Sequence, residues 1–174
     1  MPRGQQLLLP AKPLFIWGSL LFALFLDMLQ NMALWGRAPW QPELLALVLM
    51  FWTIHQPQRV GVTAAFVLGL CVDVHQSALL GQHALAYTVL SFLAIGIHRR
   101  LLWFSVPSQA AQVLPLFVAA HALVLMIRLL AGGDFPGWSV VIAPMLQALL
   151  WPVVSVLLLL PQRQPPNPDA NRPL

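Results

Sequence analysis

The sequence predicts an all-α, polytopic membrane protein: a six-transmembrane-helix bundle with both termini on the cytoplasmic side. Three observations carry that reading. Of the 174 residues, 59% are hydrophobic and only 8% are charged, against ~25% charged in a typical soluble domain. The apolar residues gather into six runs parted by short polar turns, and the basic residues are strongly biased to alternate turns. The same composition excludes a disordered chain, which needs low hydrophobicity. Cys71 is the one cysteine, so an internal disulfide framework or a Cys-based zinc site is excluded too. The formal charge is +4. The Lys and Arg residues are scattered, only Arg99 and Arg100 being adjacent, so no basic stripe tracks phosphates and nucleic acid is not a partner.

A bilayer core of ~30 Å needs ~20 apolar helical residues, with shorter spans tolerated by thinning or snorkelling. The first run covers residues 14–35. Arg3 and Lys12 precede it in the manner of a signal peptide, but the run is too long, contains Asp27 and lacks a small-residue cleavage site, so a retained helix is expected. The second run, 43–54, is short and extends upstream toward Trp40. The third, 60–74, follows a turn containing Pro57. The fourth, 83–97, is closed by His98, Arg99 and Arg100. The fifth covers 110–130 and the sixth 140–160, where Pro144 and Pro152 are expected to kink the helix.

With six spans and the N-terminus inside, the inner segments hold Arg3, Lys12, Arg59, Arg99, Arg100, Arg163 and Arg172. The outer segments hold only Arg37 and Arg128. Seven against two is the bias that the positive-inside rule requires, and dropping one helix would spoil it. Trp17, Trp35, Trp40, Trp52, Trp103 and Trp138 fall near predicted helix ends, where an amphipathic ring favours the headgroup level, while Trp151 sits mid-span. The expected organisation is a short cytoplasmic N-terminus at 1–12, a six-helix transmembrane domain at 13–161 and a disordered, Pro-rich cytoplasmic tail at 162–174. The connections leave no room for a soluble catalytic or receptor domain. No internal repeat is evident, nor the paired broken helices of many transporters.

Polar residues inside apolar runs need partners. An ionised Asp at mid-membrane costs ~2.5–3.5 kcal/mol on insertion scales, so Asp27 is expected to face protein or water. Ala23, Asp27 and Asn31 share one helical face, which suits either an intramembrane polar packing contact or an ion or proton site. In the third run Gly61, Ala65, Gly69 and Asp73 step by four, a small-residue groove ending in a carboxylate. Asp73, His75 and His83 admit a metal reading, but their spacing matches no compact zinc motif, and no metal is expected. Arg59 follows the rigid Pro57 turn and is placed to snorkel or dock a partner. His121 is expected to hydrogen-bond between helices, and Arg128 to anchor at the outer interface. Catalytic motifs are missing, so no enzyme is expected; the rival is an intramembrane site in which Asp27 and Asp73 converge.

The order of short motifs resembles a known family. Pro42-Glu43-Leu44, the turn Gln56-Pro57-Gln58-Arg59-Val60-Gly61, the helix segment Gly69-Leu70-Cys71-Val72-Asp73, the pair Leu80-Gly81 and the late Trp151-Pro152 together look like the signature of the bacterial MreD family. The resemblance implies a non-enzymatic inner-membrane scaffold of the cell-elongation machinery, without a cofactor. It implies MreC, a single-pass membrane protein, as partner, and a larger complex with MreB filaments, RodA and a penicillin-binding transpeptidase. It also implies a fold similar to the substrate-binding component of energy-coupling-factor transporters. Carried over position by position, it marks Pro42, Pro57, Arg59, Gly61, Gly69, Asp73 and Gly81 as structural or partner-contact residues. The rival function from that fold likeness is a transporter subunit for a small molecule or lipid, whose polar pocket would draw on Asp27, Gln30, Asn31, His83, Tyr87 and Gln147.

Overall fold

The computed structural model describes residues 12–32 and 38–162. Arg3, Trp35, Arg37, Arg163, Arg172, most of the N-terminal segment and the Pro-rich tail lie outside the described residues. Six α-helices follow in order: α1 (Pro13–Met32), α2 (Leu44–His55), α3 (Val62–Gln76), α4 (Gln82–Leu102), α5 (Val106–Leu130) and α6 (Ile142–Leu159). Single 3-10 turns flank α6 at Trp138–Val141 and Leu160–Gln162, and no strand occurs among the described residues.

Among the described residues, four stretches are long and apolar enough to cross a membrane: Pro13–Asn31, Gln82–Leu102, Val106–Leu130 and Trp138–Gln162. At 1.5 Å per residue α5 is ~38 Å long, whereas α2 is only ~18 Å and α3 ~22 Å. The shortness of α2 has a physical reason. Its residues Leu45, Ala46, Leu47, Leu49, Met50, Phe51, Trp52, Thr53 and Ile54 are all buried, so it is apolar on every face and meets protein where a surface helix would meet lipid. It packs on α1, α4 and α6, while the pairwise packed succession α1–α3–α4–α5–α6 runs round it. A central helix does not have to match the hydrocarbon thickness.

The outward side chains are apolar as well: Phe22 and Phe25 on α1, Phe92 on α4, and Leu149, Val153 and Leu157 on α6 are exposed. In water such a surface would drive association; in hydrocarbon it is at home. Trp103, 91% exposed, and Trp138, 84% exposed, sit at helix ends as expected. Trp52 departs from the expectation for an end-of-helix tryptophan. It is fully buried, its indole Nε1 donating to Ser19 Oγ at 2.7 Å, because the end of α2 that carries it lies inside the ring of helices. Trp151 is buried too, donating to Gln109 Oε1 at 3.2 Å.

Helix ends shift modestly from the sequence expectation. α4 runs through His98, Arg99 and Arg100 to Leu102, since long basic side chains extend to the interface without breaking the helix. α5 begins at Val106 with Pro107 in its first turn, where a missing N–H removes no intrahelical bond. Pro144 likewise falls in the first turn of α6, and Pro152 lies inside it.

Candidate functional site

One end of the bundle holds a cleft beside the starts of α2 and α4. Its floor is built from two helix N-termini, each of which presents N–H groups without intrahelical partners. Neither helix caps itself: the N-cap residues Glu43 of α2 and Gly81 of α4 make no side-chain cap bond. An acid from the preceding helix does it instead. Asp27 Oδ1 accepts from the Leu44 N–H and Oδ2 from the Leu45 N–H, both at 2.8 Å. Asp73 Oδ2 accepts from the N–H groups of Gly81 (2.9 Å) and Ala84 (3.3 Å). Its Oδ1 accepts from the His83 N–H and lies 2.8 Å from His83 Nδ1. Both carboxylates are buried, and both sit where a helix N-terminus favours negative charge.

Close backbone approach makes the second cap possible. A Cβ on Gly69 would lie 2.4 Å from the Cα of Ala84 and 2.7 Å from the carbonyl oxygen of His83. Only hydrogen fits there, and with α3 and α4 touching, Asp73 one turn further on reaches the first turn of α4. Gly81, at φ +100°, takes the left-handed conformation that lets the turn enter α4. Gly61 does not belong to the groove expected of it. α3 starts at Val62, so Gly61 is its N-cap residue, and a Cβ there would meet only the Pro57 carbonyl oxygen at 3.7 Å.

Glu43 joins the two capped helices. Its Oε2 accepts from the Tyr87 hydroxyl at 2.8 Å, and its Oε1 lies 3.5 Å from His83 Nε2. Its backbone oxygen accepts from Gln147 Nε2 at 3.0 Å. The line Asp73–His83–Glu43–Tyr87, with Gln147, thus ties α3, α4 and α6 to the start of α2. Above this floor the cleft has a volume of about 760 Å³ and is lined by Asp27, Gln30, Asn31, Pro42, Glu43, Gln82, His83, His121 and Arg128, among others.

The residues singled out by sequence divide between the two ends of the bundle. Asp27, Asn31, Pro42, Gly69, Asp73 and Gly81 gather at the cleft end. Asn31 Nδ2 donates to the Asp27 backbone oxygen at 2.9 Å, within its own helix. Pro57, Arg59 and Gly61 occupy the opposite end, in the α2–α3 turn, where the exposed Arg59 donates its N–H to the Gln56 carbonyl at 3.0 Å. His121 is paired within α5, its Nδ1 lying 3.0 Å from the Phe117 oxygen, not between helices. Among the described residues no three His, Cys, Asp or Glu side chains gather as a metal site requires. Asp27 and Asp73 are each committed to a different helix and form no acid–base pair. Of the rival pocket residues, Asp27, Gln30, Asn31 and His83 line the cleft, and Tyr87 and Gln147 reach Glu43. Sequence reasoning missed Glu43 as the joint and Gln109 as the partner of Trp151. An acid at an N-cap position was the available signal for the first; the second had none.

A family model described as rod shape-determining protein MreD matches residues 11–160, all six helices included. The chain belongs to the MreD family. Rod shape-determining protein MreD of Haemophilus influenzae is 29% identical over 132 residues, which cover 70% of this chain and 79% of that relative. No solved structure matches, and the likeness to the energy-coupling-factor component stays an expectation. MreD membership and the membrane-length helices make this a multi-pass protein of the bacterial inner membrane with a part in determining cell shape. Of the residues marked by the resemblance, Gly69, Asp73 and Gly81 all lie where α3 meets the start of α4.

Proposed function

We propose that this MreD-family chain is a non-enzymatic membrane scaffold of the cell-elongation complex. Six helices cross the bilayer with both termini cytoplasmic, so the cleft faces outward. A lateral face binds the single helix of MreC and helps couple MreB filaments to peptidoglycan synthesis by RodA and its penicillin-binding transpeptidase. The carrying observation is where polarity is used. The intramembrane acids are engaged with backbone N–H groups, and the outward face of the helices is apolar. Such a molecule offers contact surfaces in lipid, where helices associate by packing. The inner position of α2 supports six spans in spite of its length.

Photo-crosslinking residues placed in living cells at Phe22, Phe92 and Leu149, each pointing outward from a different helix, test this reading. MreC is expected to be trapped from at least one of these faces and not from the buried Trp151. Failure to trap MreC from any outward face, in cells that keep their rod shape, would contradict it.

A further inference from the structure

The cleft is larger and more polar than capping requires. Its volume of about 760 Å³ falls in the ~300–1,000 Å³ range of small-molecule sites. Gln82 lines it, is 7% exposed, and has no hydrogen-bond partner for its side-chain amide among the described residues. Its amide is not sealed in protein but opens on the cleft, free to hydrogen-bond whatever enters. The charges around it are unevenly placed. Asp27 and Glu43 stand at the floor with Asp73 just beneath, His83 is bonded among them, and His121 of α5 lines the cleft near enough to act on Glu43. The two helix N-termini offset part of this negative charge, yet carboxylates still outnumber cations there. Arg128, on the wall, has no ion-pair partner among the described residues.

A cation alone would leave Arg128 facing it unpaired, and an anion alone would meet two carboxylates. We propose that this cleft binds a small zwitterion, its ammonium group toward Asp27 and Glu43, its anionic group toward Arg128, with Gln82 hydrogen-bonding between. The chemistry is shared by the ethanolamine phosphate headgroup of a lipid and by a free amino acid or short peptide. The inference is independent of the scaffold reading, because it concerns the cleft and not the lateral surface.

Titration calorimetry on the purified full chain in detergent tests it, with phosphoethanolamine and dialanine as probes and ethylamine and inorganic phosphate as single-charge controls. At least one zwitterion should bind saturably and about tenfold or more tighter than either control. Arg128→Gln should weaken that binding about tenfold, and because Arg128 is exposed the variant should fold. Gln82→Leu should weaken it as well. Binding of phosphoethanolamine alone points to a lipid headgroup and of dialanine alone to an amino-acid ligand; either supports the proposal. No saturable binding of either zwitterion, or binding unchanged in Arg128→Gln, overturns it.

Discussion

Asp27 and Asp73 each stand on one helix and cap the N-terminus of the next. Asp27, near the end of α1, accepts the N–H groups of Leu44 and Leu45 at the start of α2. Asp73, near the end of α3, accepts those of Gly81, His83 and Ala84 at the start of α4. The sequence contains no evident repeat, yet the α1–α2 and α3–α4 pairs solve one problem in one way. In each pair the following helix lacks a capping side chain of its own, and the acid that caps it is buried.

Removing either acid should therefore destabilise the fold. Asp73→Ala strands several buried N–H groups and should cost at least ~3 kcal/mol, at ~1–3 kcal/mol per unsatisfied buried donor. Asp27→Ala, with two donors released, should cost somewhat less. Asp73→Asn keeps one accepting oxygen and should fall between wild type and Asp73→Ala. Thermal unfolding of the purified variants in one detergent gives the order directly; equal stability of all three would refute the capping role.

Gly69 tolerates no side chain. Gly69→Ala places a methyl group 2.4 Å from the Ala84 Cα, so the two backbones must part. A loss of at least ~1–3 kcal/mol is expected, with Gly69→Leu worse. Gly96→Ala in α4 is the matched control: nothing lies within 4 Å of that Cβ, and stability should hold or rise by up to ~1 kcal/mol from helix propensity. Melting temperatures of the two alanine variants decide it.

The Trp52–Ser19 hydrogen bond at 2.7 Å links α1 to the central helix. Trp52→Phe and Ser19→Ala should each cost ~1 kcal/mol or more. A double-mutant cycle should return a coupling of about 1 kcal/mol, read as the shortfall of the double variant from additivity. Strict additivity would mean that the bond is not made.

Neighbours on α6 should respond in opposite ways. Leu149 is 71% exposed and Trp151 fully buried. Trp151→Ala should cost ~3–5 kcal/mol, opening a hole beside Phe51 and Phe117 and leaving Gln109 Oε1 unpaired. Leu149→Ala should stay within ~0.5 kcal/mol, as surface changes usually do. Unfolding in detergent compares them.

The number of helices was legible because apolar runs and their flanking arginines are local signals. Part of the site was legible too: the four-residue step from Gly69 to Asp73, followed by Gly81, points to a close helix pair. The partners of Asp27 were not, because Leu44 lies 17 residues away across a connection without periodicity. The link from Glu43 to Tyr87 spans 44 residues and depends on how α2 is placed at the centre, which no local pattern encodes. The same placement hides Trp52, whose position near a helix end looks interfacial until the helix is known to be internal. Gly61 misleads by one residue: the step of four includes it, but the helix begins just after it.

The six-span arrangement is the claim on which the scaffold and the outward cleft both rest, and α3, shorter than a full span and without the central position of α2, is the member to test. Single cysteines introduced on a Cys71→Ser background and treated with a membrane-impermeant thiol reagent test it most directly. Leu79→Cys and Gly133→Cys, at the cleft end, should label from the periplasmic side of intact inner membranes. Gln58→Cys and Trp103→Cys, at the other end, should label only once the membrane is opened. Labelling of positions 58 and 79 from the same side would show that α3 does not cross, and would contradict the account.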